Sequence, residues 1–217
     1  MTPTRICPDC PAARARLLMG LVESERGCLF RCLPSLDQAP LPMSWGGDYA
    51  FGLIRRGIVI RQRVDGAGRA TAIDIAGPGS AIPISPDGSA TSYSLGDALV
   101  CLVPSVALDG AMAKQRVALD VVAAQRQIVE RVERISDAKG RRSATARVAA
   151  LLVTIVETLS PGRGAVIPSA IRQRDLAALL ALRHESVCRA MRVLERRSMI
   201  RRRGADTWVD AGALASV

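Results

Sequence analysis

Residues 182–197 read LRHESVCRAMRVLERR, a short turn followed by an amphipathic helix. At helical spacing Val187, Met191 and Leu194 share one face. A second face carries polar and charged side chains: Glu185, Cys188, Arg189 and Arg192. A helix that buries an apolar stripe and exposes arginine and glutamate fits the DNA major groove. This stretch therefore predicts a DNA-reading helix.

The basic residues are concentrated around this helix. The chain has 217 residues, 49% of them apolar, and a formal net charge of +10. Residues 139–203 contain 15 basic residues (Lys and Arg) and only four acidic residues (Asp and Glu). Residues 1–138 contain 15 basic and 14 acidic residues. A basic region of this kind is typical of phosphate contacts, and a merely solvated basic face is the alternative.

The C-terminal pattern predicts a winged helix. Helices are expected at 144–159 and at 171–180, before the turn of residues 181–183 that leads into the helix at 184. Residues 199–202 and 207–209 then read as a small hairpin. Helix-turn-helix followed by a hairpin is the order of a winged helix-turn-helix.

Short strands with glycine-rich turns dominate the N-terminal half. Apolar strands are predicted at 50–54, 58–64, 70–76 and 98–103. The turns between them include Asp65-Gly66-Ala67-Gly68 and Gly77-Pro78-Gly79. Such spacing favours an antiparallel β-roll.

A long helix is predicted from about Val106 to Asp137. Its apolar seam comprises Ala118, Val121, Val122, Gln125, Ile128, Val129, Val132 and Ile135. A seam of this length more often pairs with a copy of itself, which predicts a homodimer. The expected fold is α+β, with a sensory region over residues 1–105, a dimerisation helix over 106–138 and a DNA-binding domain over 139–217.

No secretory signal and no apolar run of membrane-spanning length is visible, so a cytoplasmic location is expected. Structural disulfides are rare in that compartment. The six cysteines therefore favour metal or redox roles.

This order of elements resembles the CRP/FNR family of bacterial transcription regulators over roughly residues 27–210. The residues that carry the resemblance are Arg174-Asp175-Leu176-Ala177, Glu185 to Arg189, Leu194-Glu195, Gly57, Gly77-Pro78-Gly79 and Leu99 to Pro104. The resemblance implies a regulator rather than an enzyme. Its expected partners are a palindromic DNA site with TGA-type half-sites, a second copy of the chain, and RNA polymerase.

The same resemblance assigns DNA contacts. Glu185 stands where the family's glutamate accepts from a cytosine amino group, and Arg189 where an arginine donates to guanine. Cys188 replaces a serine of the FNR branch or a glycine of the CRP branch. The predicted DNA-binding set is Arg172, Gln173, His184, Glu185, Ser186, Cys188 and Arg189, with Arg172 and Gln173 near phosphates.

The resemblance also bears on the signal. Cyclic nucleotide binding is disfavoured because residues 79–92 contain no Arg, Lys or Glu to pair a buried phosphodiester. A haem sensor stays an alternative, although the chain's single histidine, His184, lies in the DNA-reading helix.

An iron–sulfur sensor fits the FNR branch better. That branch has an N-terminal C-x2-C pair and a lone cysteine on a roll strand before a proline, matched here by Cys7, Cys10 and Cys101. The thiolates of Cys7, Cys10, Cys28 and Cys101 would together hold a 4Fe–4S cluster. Cys32 is the alternative to Cys28 as the third ligand. Oxygen or another redox signal would then act through the cluster.

Other uses of the cysteines remain open. Zinc and a thiol–disulfide switch are the alternatives within the regulator hypothesis. A zinc-stapled interaction or metal-storage protein is a separate possibility. A thiol oxidoreductase is disfavoured, because only six residues precede Cys7 where a strand would be needed.

Glu130 and Glu133 lie near the position where like charges oppose pairing of the family's dimer helix.

Overall fold

The computed structural model describes residues 29–33 and 49–217, except for 86, 88, 114 and 160–164. For residues 29–33 it describes the backbone. The chain divides into two compact units, residues 1–69 with 76–129 and residues 70–75 with 130–217. Each unit is built around its own apolar core.

An antiparallel sheet forms most of the first half of the described chain. Its strands are β1 (Leu29–Leu33), β2 (Tyr49–Val64), β3 (Ala70–Ala76), β4 (Ala81–Pro83) and β5 (Ala90–Pro104). The order is β1-β5-β2-β3, and β4 pairs with β2. The predicted antiparallel arrangement is confirmed, and β3 has the predicted bounds.

A bulge makes β2 one continuous strand where the sequence predicted two. The register against β5 shifts between Arg56 and Ile58, and Gly57 between them has φ +88°. A Cβ at Gly57 would lie 2.5 Å from the carbonyl oxygen of Asp97, so this position requires glycine. A bulge of this kind accommodates an extra residue without ending the strand.

The predicted long helix is divided. Helix α1 (Ser105–Ala111) ends before α2 (Gln115–Gly140) begins. Gly110 lies in the last turn of α1, where its high conformational entropy weakens the helix. The sequence pattern of residues 106–137 did not show this break.

Helix α2 has two distinct apolar rows. Val117, Val121, Ala124 and Ile128 are buried in a cluster with residues of β2 and β5. Leu119, Val122 and Val129 form the other row, with 61%, 62% and 51% of their surface exposed. The predicted seam was wrong in merging these rows, because Val121 and Ile128 pack on the chain's own sheet and Gln125 is exposed.

The second unit carries the remaining helices around a small sheet. They are α3 (Ala144–Leu159), α4 (Gln173–Leu180), α5 (His184–Arg196) and α6 (Ala211–Ala215). Strands β6 (Val166–Ile167), β7 (Ile200–Arg203) and β8 (Asp206–Val209) pair in the order β6-β8-β7. Helix α3 has the predicted bounds, and Ser143 caps it by accepting from the Ala146 N–H at 3.0 Å.

A buried ion pair joins β3 to α2 within the second unit. Arg131 donates from Nε to Asp74 Oδ1 at 3.0 Å and from Nη2 to Oδ2 at 2.8 Å. Asp74 has no exposed surface. Two turns further along α2, Lys139 Nζ donates to the Ala72 carbonyl at 3.1 Å, and partial burial lowers the pKa of this ammonium. Both contacts hold the same side of β3 against the helix.

We expect Asp74→Ala to lower the free energy of unfolding by about 3–5 kcal/mol, because it leaves the Arg131 guanidinium buried without its counter-ion. Glu157→Ala is the matched control, since Glu157 pairs with Arg134 at an exposed position and should contribute less than about 1 kcal/mol. Urea unfolding of both variants measures the difference. Equal losses would contradict the importance assigned to the buried pair.

Candidate DNA interface

A left-handed residue sets the angle between α4 and α5. Helix α4 ends at Ala181, which has φ 51° and ψ 41°. The Leu182 N–H then donates to the Ala177 carbonyl at 3.0 Å. This C-terminal motif reverses the chain within a few residues. It produces the turn predicted at residues 181–183.

Asp175 fixes the start of α4. Its Oδ2 accepts from the Arg172 N–H at 2.8 Å, and the carboxylate is buried. A carboxylate three residues into a helix satisfies a backbone donor that the helix leaves unpaired. The helix therefore begins at Gln173 rather than at the predicted Ile171. The helical periodicity of residues 171–180 did not predict this role of Asp175.

One side of α5 is buried in the core of the second unit. Val187, Ala190 and Leu194 are almost completely buried. Helical spacing predicted Met191 on this face, but Met191 is only half-buried and Ala190 takes the inner position. Helix α5 packs on α3.

The opposite side of α5 faces outward. His184, Glu185, Arg189 and Arg192 are exposed, and Ser186 is half-buried. Side chains four residues apart on a helix are neighbours, so Glu185 and Arg189 form an adjacent acceptor and donor pair. The predicted helix, its polar face and its exposed charged pair are therefore all present in the structure.

Cys188 connects the two helices of the motif. Its Sγ donates to Gln173 Oε1 at 2.8 Å and lies 3.5 Å from Nδ1 of His184. The sequence pattern predicted Cys188 on the helix surface. The spacing of four from His184 signals their proximity, but no local pattern indicates the bond to Gln173.

Further arginines extend the basic surface beyond the predicted site residues. Exposed guanidinium groups lie at the end of α5, directly after it and on strand β7: Arg196, Arg197, Arg201 and Arg202. Such groups suit phosphate contacts on either side of a groove-bound helix. The charge concentration in residues 139–203 is the sequence signal that points to them.

The structure describes only part of the predicted metal site. Cys7, Cys10 and Cys28 lie outside the described residues. The reserve ligand Cys32 belongs to β1, whose described backbone pairs Cys32 with Leu99 and Phe30 with Cys101. Cys101 is buried in the apolar cluster beneath α2. In the described part of the chain, no three His, Cys, Asp or Glu side chains form a group able to hold a metal ion.

Comparisons with known proteins identify the C-terminal domain and the fold. Residues 146–217 match the model of the Crp-like helix-turn-helix domain. No curated protein sequence matches the chain. Three solved structures illustrate the similarity of the whole chain. They come from Bradyrhizobium japonicum, Thermus thermophilus and Carboxydothermus hydrogenoformans.

FixK2 of Bradyrhizobium japonicum is 19% identical, with a TM-score of 0.72 over 88% of this chain and 96% of that one. TTHB099 of Thermus thermophilus, a CRP-family transcriptional regulator, is 18% identical, with a TM-score of 0.64 over 86% and 95%. A mutant of CooA from Carboxydothermus hydrogenoformans is 13% identical, with a TM-score of 0.67 over 100% and 99%.

The chain thus has the CRP/FNR fold, and its last third is a Crp-like helix-turn-helix domain. The predicted fold class is confirmed. Assignment to the FNR-like branch stays a prediction. None of the helices in the described ranges is both long and apolar enough to cross a membrane.

Proposed function

We propose that this chain is a sequence-specific DNA-binding transcription regulator, not an enzyme, and that it acts as a homodimer. The observation that carries the proposal is the geometry of α5. Burial of Val187 and Leu194 turns Glu185 and Arg189 outward on the helix of a Crp-like domain. An exposed carboxylate and guanidinium one turn apart are suited to adjacent base pairs.

In this function α5 lies in the major groove. The Glu185 carboxylate accepts from a cytosine amino group, and the Arg189 guanidinium donates to O6 and N7 of guanine. Arg172 and Gln173 at the start of α4 contact phosphates, which position the helix without reading sequence. His184 and Ser186 lie on the same surface, and in this function they contact bases or phosphates.

A homodimer is supported by the exposed apolar row on α2. Leu119, Val122 and Val129 are three and seven residues apart, which places them along one coiled-coil seam. In a symmetric pair the row of one protomer covers that of the other and removes these side chains from water. Two α5 helices then read a palindromic site with TGA-type half-sites. RNA polymerase is the further partner that the family resemblance implies.

We expect Glu185→Ala and Arg189→Ala each to remove about 1–3 kcal/mol of discrimination at one base pair of the half-site. The site is first selected from random-sequence DNA, and binding is then measured by fluorescence anisotropy at one salt concentration. Arg63→Ala, which removes an exposed arginine of the sheet, is the control for charge alone. A wild-type protein that selects no sequence would refute the proposed function.

We expect Leu119→Asp with Val122→Asp to raise the dimer dissociation constant by more than about a hundredfold, since pairing would bury unpaired carboxylates. Sedimentation velocity measures the mass. Val106→Asp is the matched control, because Val106 on α1 is 77% exposed and lies outside the row. A variant that remains dimeric would show that α2 does not form the interface.

For the signal, we propose a 4Fe–4S cluster held by Cys7, Cys10, Cys28 and Cys101. Cys101 supports the proposal because it packs in one cluster with Val117 and Val121 of α2, so a change at its sulfur reaches the dimer helix directly. Held by these four thiolates, such a cluster would supply a group that reacts with oxygen or nitric oxide. Glu130 and Glu133 would oppose pairing in the absence of the cluster.

Chemical analysis of anaerobically isolated protein tests this proposal. Wild-type and Cys188→Ala protein should contain iron and acid-labile sulfide, while Cys28→Ala should lose both and Cys32→Ala should keep them. Zinc in place of iron would favour a zinc site, and bound haem a gas sensor. Metal-free protein whose DNA affinity changes with thiol oxidation would favour a disulfide switch. Metal-free protein that binds DNA tightly in every redox state would refute the cluster, the zinc site, the haem sensor and the disulfide switch alike.

A further inference from the structure

We propose that Cys188 is a positioning residue, which holds the Gln173 carboxamide so that its NH2 group meets a DNA phosphate. The proposal rests on the proposed DNA-binding function. It assigns the thiol a role through Gln173 instead of a contact with a base. The bond between the two helices of the helix-turn-helix motif carries the inference.

The geometry fixes which end of the amide is free to bind. Gln173 is the first residue of α4, and Cys188 lies in the second turn of α5. The thiol donates to Gln173 Oε1 across 2.8 Å. The acceptor oxygen and the NH2 group of a carboxamide lie in one plane, on opposite sides of the Cγ–Cδ bond axis. With the oxygen held by Cys188, the donors point away from the thiol.

The surroundings of Gln173 suit an anion that accepts hydrogen bonds. Gln173 lies at the N-terminus of α4, which is the positive end of the helix dipole. The neighbouring side chains of Arg172 and Arg174 are exposed and cationic. A phosphate oxygen is an acceptor without a proton, which matches an amide that offers only donors.

The same bond removes Cys188 from base reading. A thiol has a single proton, and here that proton is directed at Gln173. The other close group is His184, whose ring nitrogens lie 3.5 and 3.7 Å from Sγ. Sulfur is only a weak acceptor, so the thiol retains little ability to distinguish one base edge from another.

The gain in affinity comes from ordering Gln173 before DNA arrives. A free glutamine side chain loses rotamer entropy when it binds. Holding it in the bound conformation avoids this cost, which corresponds to about fivefold in affinity for one side chain. Because a phosphate contact carries no sequence information, the gain applies equally to all base sequences.

The first experiment requires no DNA. Nitrogen-15 relaxation of the Gln173 side-chain amide should show greater motion in Cys188→Ala than in the wild type, while Cys188→Ser, which retains a donor, should restore most of the order. The Gln62 amide, which donates to Thr91 Oγ1 at 3.1 Å, is the internal control and should not change. An equally ordered Gln173 amide in Cys188→Ala would overturn the proposal.

The second experiment is a double-mutant cycle on DNA. Cys188→Ala should weaken binding about fivefold on the selected site and on each single-base variant of it, but should add no loss when Gln173 is already alanine. A methylphosphonate in place of the contacted phosphate should likewise abolish the fivefold difference in affinity between wild type and Cys188→Ala. Additive losses, or a changed preference at one base pair, would show that Cys188 reads a base and would overturn the proposal.

The two experiments separate this proposal from the proposed function. Wild-type protein that binds DNA without sequence preference would refute the proposed regulator function. Wild-type protein that does not bind DNA at all would also refute the phosphate contact proposed for Gln173. The relaxation measurement still decides whether Cys188 orders Gln173. Thermal unfolding of Cys188→Ala excludes a general loss of structure as the cause of weaker binding.

Discussion

The rotation of α5 about its own axis is the constraint on which the interface depends. Val187, Ala190 and Leu194 lie within one third of the helix circumference, and all three are buried. With that side fixed in the core, Glu185 and Arg189 have no direction available except outward. A polar substitution on the inner side would therefore change both stability and the direction of Glu185 and Arg189.

Helix α2 connects the proposed sensor to the proposed dimer through its two apolar rows. The inner row shares a cluster with Cys101, and the outer row presents Leu119 and Val122. Interiors pack as densely as organic crystals, so a displacement on one side of a helix is passed to the other with little loss. A chemical change at Cys101 can thus alter the outer row without a long chain of contacts.

The features predicted correctly have a signal in local sequence. Periodicity located α3 and α5, and glycine-bounded alternation located β3. Errors arose where a packing partner decides the outcome, as for Ala190 over Met191 and for the split apolar rows of α2. Contacts distant in sequence left no local trace. The Asp74–Arg131 pair spans 57 residues and the Cys188–Gln173 bond spans 15, so neither follows from a periodic pattern.

Arg126 interrupts the outer row of α2, between Val122 and Val129 at the same seam spacing, and its surface is exposed. In a parallel two-fold pair, equivalent seam positions of the two helices meet, so the two copies of this guanidinium approach each other. A polar side chain at a single seam position selects one register of paired helices at a cost in stability. In the proposed homodimer, Arg126 would therefore favour the pairing in which the two helices are aligned without a shift.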